Sequence, residues 1–146
     1  MVRFKNRYIL YEITFKDGKI DSTLSDQMIL KHLKDVVQLY FGNYGMCCLS
    51  SSLSSKYFNP YTLMGLIRAP REFFRLAWFG LSMLSSIYGR TCSIRVIHVG
   101  GTIRSCQKEL LAKNKEFLKV ACFDKEESYI KAMDSIINKG IDQITA

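Results

Sequence analysis

Two prolines, two histidines and one tryptophan are all that the 146 residues hold of these types, and no apolar run approaches the length of a membrane span. Scarce proline, set beside nine Phe, eight Tyr and 48% hydrophobic residues, separates the chain from disordered sequences and predicts a packed core. The longest apolar stretch, Leu76–Tyr88, is broken by Gly80 and three serines, whereas a bilayer crossing needs roughly twenty mostly apolar residues. The N-terminal MVRFKNRY leads into an alternating pattern instead of the apolar run of a secretory leader, so a nuclear or cytosolic protein without membrane contact is expected.

Scarce histidine also limits metal chemistry. Cys47, Cys48, Cys92, Cys106 and Cys122 are odd in number and lack the spacing of a zinc site, so beside His32 and His98 they read as reduced and mostly buried. No cofactor is expected on the protein itself. Residues 56–113 contain only Glu72 and Glu109 as acids, which leaves little general acid–base chemistry. Cys92 or Cys106 with His98 is conceivable as a nucleophile pair, but nothing in the spacing demands it.

What the chain has is one domain's length and a localised positive charge. A chain of this size buries roughly two-thirds of its unfolded surface around one core. The net charge of +8 is not spread evenly: residues 1–19 hold five basic and two acidic groups, and residues 56–113 hold nine and two. The remaining stretches are slightly acidic. Segregation of this kind suggests a basic face for a polyanion.

Alternating or β-rich runs at Arg7–Phe15, Met46–Lys56, Thr62–Arg68 and Ser93–Val99 predict four strands. On this reading Cys47 and Cys48 point to opposite faces of a strand, and the serines around Leu53 form its polar side. Ser25 or Asp26 caps a first helix, whose Ile29, Leu33, Val36, Val37 and Tyr40 keep helical spacing until Gly42. A second helix is expected from Pro70 to near Gly89, and a third after Gly100 and Gly101 with Thr102 as cap. With Tyr57–Tyr61 as a hairpin link, the order β-α-β-β-α-β-α is an α+β chain with an antiparallel sheet, the split βαβ order of the ferredoxin-like fold. Residues 1–122 form that domain. Residues 123–146 form a C-terminal extension, weakly amphipathic through Tyr129, Met133, Ile136 and Ile137, and its last five residues are expected to be dispensable for assembly and activity.

Two segments suit phosphate. In HVGGTIRSCQK, residues 98–108, a strand enters a helix through two glycines. Glycine lets backbone approach an anion, the first helical turn offers free N–H groups, and Arg104 and Lys108 share a helical face. The spacing matches neither a nucleotide-triphosphate loop nor a dinucleotide fingerprint, and an ordinary tight turn remains open. At the other end, Arg3, Lys5 and Arg7 alternate, so an extended chain sends all three to one face while Phe4, Asn6 and Tyr8 dock on the other. A solvated edge guarded by charge is the alternative. The third expected strand lacks the aromatics of an RNA-recognition motif, so contact with folded RNA shape and phosphates is expected, without base stacking on an open sheet.

VRFKNRYIL at 2–10, KYFNPYT at 56–62 and HVGGTIRSCQK at 98–108, with the REFFRLAWFGL helix between, resemble the Pop-five family of ribonuclease P and ribonuclease MRP protein subunits. The resemblance runs from Val2 to about Leu111. It implies a nuclear and nucleolar ribonucleoprotein subunit that contacts the catalytic domain of the RNA and pairs with other protein subunits. The RNA and its magnesium would cleave precursor tRNA, met indirectly or through its leader, or process precursor rRNA. Carried over by position, Arg3, Lys5, Asn6 and Arg7 match the family's basic entry motif, and Gly100, Gly101, Thr102, Arg104, Gln107 and Lys108 its Gly-Gly-helix motif. The helix holding Phe74, Trp78, Phe79 and Met83 has too many large apolar residues for one face and is expected to meet a protein partner. A scaffold without RNA contact is the alternative function.

Overall fold

The computed structural model describes residues 3–121 and 127–144. The elements run β1 (Asn6–Phe15), α1 (Asp26–Ser50), β2 (Ser54–Asn59), β3 (Met64–Pro70), α2 (Phe74–Met83), β4 (Ser86–Ile87), β5 (Arg90–Gly100), α3 (Ile103–Ala121) and α4 (Glu127–Asp142). The strands form one sheet in the order β2-β3-β1-β5-β4, with every ladder antiparallel. Leaving aside the two-residue edge β4, this is the split βαβ arrangement of the ferredoxin-like fold.

The central place of β1 follows from its sequence. Ile9, Tyr11, Ile13 and Phe15 enter one core cluster while Tyr8 and Leu10 enter another, so both faces of the strand are covered. A strand apolar on both faces belongs inside a sheet. The first cluster lies under α1 and α2; the second is closed by Cys106, Leu110 and Leu118 of α3 and Ile137 and Ile141 of α4. That second layer covers the face on which an RNA-recognition motif would stack bases.

Several expected boundaries move. Ser25 caps α1 as anticipated, its hydroxyl accepting the Met28 N–H at 3.4 Å, and the helix does break at Gly42, where φ is +65°. Helical turns then resume as far as Ser50, so Met46–Ser50 is helix and Cys47 and Cys48 lie on it. Strand β2 begins only at Ser54, and Tyr57–Asn59 belong to it, the link being the turn that follows. Pro70 closes β3 instead of opening a helix, and α2 starts at Phe74. It stops at Met83 because Ser86–Ile87 folds back on Thr91 and Arg90. The two turn residues Tyr88 and Gly89 both have positive φ, 47° and 77°, as a two-residue hairpin of the matching twist requires.

Cys92 and Cys106 are buried and Cys47 is exposed. Cys122, residues 123–126 and residues 145–146 lie outside the described residues. In α4, Ile137 is buried but Ile136 is 64% exposed, and the inward face continues through Ile141 and Ile144. Ile144 is part of the second core cluster, so the expected dispensability of the last five residues does not extend to the stability of the fold.

Candidate nucleic-acid interface

In the register of β1 on β5, Tyr8 pairs with Gly100. The chain before Tyr8 and the chain after Gly100 therefore leave the sheet side by side. They enclose an open groove of about 590 Å³ lined by Arg3–Tyr8 on one side and Gly101, Thr102 and Ile103 on the other. The two basic segments, remote in sequence, meet there. Arg3 and Lys5 precede the strand and are exposed; Arg7 is half-buried, its Nη1 donating to the Asn6 carbonyl at 3.3 Å. None of Arg3, Lys5, Arg7, Arg104 and Lys108 is ion-paired among the described residues.

The Gly-Gly turn separates into two roles. Gly100 is buried, and a β-carbon on it would stand 3.0 Å from Cys106 Sγ and 3.2 Å from His98 Nε2. It is there for packing between β5 and α3. Gly101 is exposed in the groove, with Arg7 Nη1 as its nearest neighbour. Thr102 caps α3 as expected, its hydroxyl accepting the Ser105 N–H at 3.3 Å. Other N–H groups of the first turn have no partner within the helix and sit at its positive end. His98 Nε2 and Ser105 Oγ lie 3.1 Å apart, which makes His98 a hydrogen-bonded residue of the turn. A β-bulge in β5 between the partners of Leu10 and Tyr11 makes this possible, placing His98 toward α3 while Val99 packs with the first core cluster.

Arg104 and Lys108 are exposed on the first two turns of α3, beyond the groove lining. Gln107 is placed otherwise: its side-chain amide donates to the Ile141 carbonyl of α4 at 3.0 Å, so it ties the two helices together. Cys106 donates to the Tyr8 carbonyl, and burial pushes its thiol up to about 11; burial also raises the Cys92 thiol. Neither is a ready nucleophile.

The sequence reading missed the far side of the N-terminal segment. The Arg71 N–H donates to the Lys5 carbonyl at 2.9 Å, and grooves of about 310 and 210 Å³ bring Phe4 and Lys5 to Ser51, Arg68, Pro70 and Arg71. Arg68 and Arg71 stand in a strand and a turn with no local periodicity to mark them. Asn6 lines both sides. Phe4, expected to dock beside Tyr8, is 96% exposed.

On the opposite layer, Phe74 is half-buried while Trp78, Phe79 and Met83 are 41%, 37% and 44% exposed. Phe79 meets the rings of Tyr40 and Phe41 edge-on, each at 5.3 Å, so the bare face includes α1 residues just before the Gly42 break. Gly80 permits the close approach: a β-carbon there would come within 2.7 Å of Leu33 Cδ1.

Fold and surface together define a ferredoxin-like α+β protein with an unpaired cationic groove at one end of its sheet and a bare aromatic flank. The family model of the Rpp14/Pop5 family matches residues 7–111, and the chain belongs to that family. It is 36% identical over 124 residues to "Ribonuclease P/MRP protein subunit POP5" of Schizosaccharomyces pombe, covering 79% of this chain and 89% of that protein. The Homo sapiens protein of the same name is 33% identical over 134 residues, 87% of this chain and 82% of that one. A chain in the cryo-EM structure of yeast ribonuclease MRP shares the fold with a TM-score of 0.57 at 12% identity, over 82% of this chain and 98% of its own.

Proposed function

We propose that this chain is a protein subunit of ribonuclease P, ribonuclease MRP or both, and that it binds the RNA subunit through the groove between its N-terminal segment and the start of α3. The observation that carries the reading is the meeting of Arg3, Lys5 and Arg7 with Gly101–Ile103 in one groove lined by no acidic residue. Unpaired cations beside a capped helix start hold phosphate without reading sequence. The protein then positions RNA, and the RNA with its magnesium supplies the cleavage of precursor tRNA or precursor rRNA, in nucleus and nucleolus. In this reading the protein positions the RNA and performs no chemistry of its own; burial raises the Cys106 and Cys92 thiols, and the groove lining holds no carboxylate among the described residues. Other protein subunits take the aromatic flank of α1 and α2. Tagging the full chain in cells and sequencing the RNA that copurifies tests this; ribonuclease P or MRP RNA is the expected catch, and its absence from an otherwise intact protein complex favours the scaffold alternative.

A further inference from the structure

Phe4 is the most exposed large apolar side chain among the described residues, at 96%. It stands at the basic end of the sheet, and the residues that follow it are tied down: the Lys5 carbonyl accepts the Arg71 N–H, and Asn6 pairs with Pro70 at the start of β1. The ring is exposed to water one residue before backbone that is bonded at the end of the sheet.

Phe4 also lines the grooves on both sides of its segment. Arg7 stands on one side, Arg68 and Arg71 on the other, and Arg3 and Lys5 line grooves on both, with Glu72 the single acid in these linings; Arg68 already donates to the Ser52 carbonyl. An apolar π face with cations on both sides matches one chemical unit, a nucleotide, whose base stacks and whose neighbouring phosphates are neutralised beside it. The base must be unpaired, because both faces of a duplex base are already stacked. The sheet face cannot serve as the platform, since Tyr8, Leu10 and Leu66 are covered by α3 and α4.

We propose that Phe4 stacks on one unpaired RNA base while Arg3, Lys5 and Arg7, with Arg71 across the segment, hold the flanking phosphates. This deepens the RNA-binding reading and rests on it. It adds a single-stranded element to a contact otherwise made by charge alone.

The test uses the full-length chain, a single-stranded RNA oligonucleotide and a duplex of the same length. In Phe4→Trp, read against the wild type in which Trp78 supplies the background, the single strand quenches fluorescence and the duplex does not. Phe4→Ala lowers single-strand affinity by about 5- to 150-fold, Phe4→Tyr restores it, and the salt dependence of binding keeps its slope. Unchanged single-strand affinity in Phe4→Ala, with wild-type salt dependence, overturns the stacking role and leaves phosphate binding standing. Absence of salt-dependent binding in the wild type overturns the RNA reading itself. Loss of a protein subunit from the assembled complex in Phe4→Ala, with RNA affinity intact, shows instead that the ring is a protein anchor and also overturns the proposal.

Discussion

The Arg7 guanidinium rests against Gly101: a β-carbon on that glycine would stand 3.3 Å from Arg7 Nη1. Its neighbour Gly100 faces inward, toward Cys106 Sγ. Adjacent glycines therefore differ in what they tolerate. Gly101→Ala meets the end of a flexible side chain and is expected to leave the urea midpoint nearly unchanged, whereas Gly100→Ala forces the packed β5–α3 junction apart and costs about 1–3 kcal/mol. Equal losses at the two positions would contradict the separation of roles.

Gln107→Ala tests the second assignment within the Gly-Gly-helix motif. Removing the bond to the Ile141 carbonyl is expected to cost about 1 kcal/mol and to speed proteolysis of α4, while RNA affinity of the folded protein stays within about twofold. Deleting residues 142–146 takes Ile144 out of the core, and a loss of about 1.5–3 kcal/mol in denaturant unfolding is expected. A large fall in RNA affinity at unchanged stability in Gln107→Ala would return that residue to the interface.

The loop before α1 is expected to contribute to acid sensitivity. The Asp17 carboxyl is held below its usual range by the hydrogen bond from Arg90 and then by the Lys19 N–H; that of Asp21 is lowered by Thr23, with the Arg90 charge adding to it. A carboxyl depressed in the folded state contributes stability above its unfolded value of about 3.9 and loses it as pH falls through the folded value. Stability therefore drops below about pH 4. Arg90→Ala, which also removes the cation from above the Phe15 ring, is expected to lower stability at neutral pH and flatten this acid limb. Melting curves from pH 7 to pH 2 check it, and a variant with the wild-type acid limb would assign the effect elsewhere.

The aromatic flank predicts separable defects. Trp78→Ala and Phe79→Asp alter side chains 41% and 37% exposed, so far-ultraviolet circular dichroism should remain that of the folded domain while copurification of protein subunits falls. Because Phe79 meets Tyr40 and Phe41, Tyr40→Ala is expected to weaken the same assembly, though less. Unfolded variants, or complexes recovered in wild-type yield, would place these rings in the core or leave the face unused.

Much of this architecture was legible because hydrophobic periodicity and capping are local. The cap at Ser25, the break at Gly42, the strand read at Arg7–Phe15 and found at Asn6–Phe15, and the cap at Thr102 all announce themselves within a few residues. Met46–Ser50 misled because short residues alternating with apolar ones imitate a strand, while the helix resumes beyond the kink on the packing of Gly45 and Leu49. Pro70 suits a first helical turn as well as a strand end, and only its pairing with Asn6 decides between them. For the site, the two basic rows were readable but not what surrounds them. Gln107 finds its partner 34 residues away on α4, and Arg71 reaches the N-terminal segment through the ladder between β1 and β3, so neither contact leaves a mark in the local pattern.

The central claim is that the N-terminal row and the start of α3 form one phosphate-binding surface. It is tested most directly by RNA affinity across a salt series for the wild type, Arg3→Gln/Lys5→Gln and Arg104→Gln/Lys108→Gln. Each neutralised phosphate contact contributes roughly 0.7–0.9 to the slope of log affinity against log salt. Each double variant is therefore expected to flatten the slope by about 1.5 and weaken binding to many RNA sequences alike, with the fold intact because all four side chains are exposed. A slope unchanged in both variants would place the RNA contact elsewhere and contradict the account.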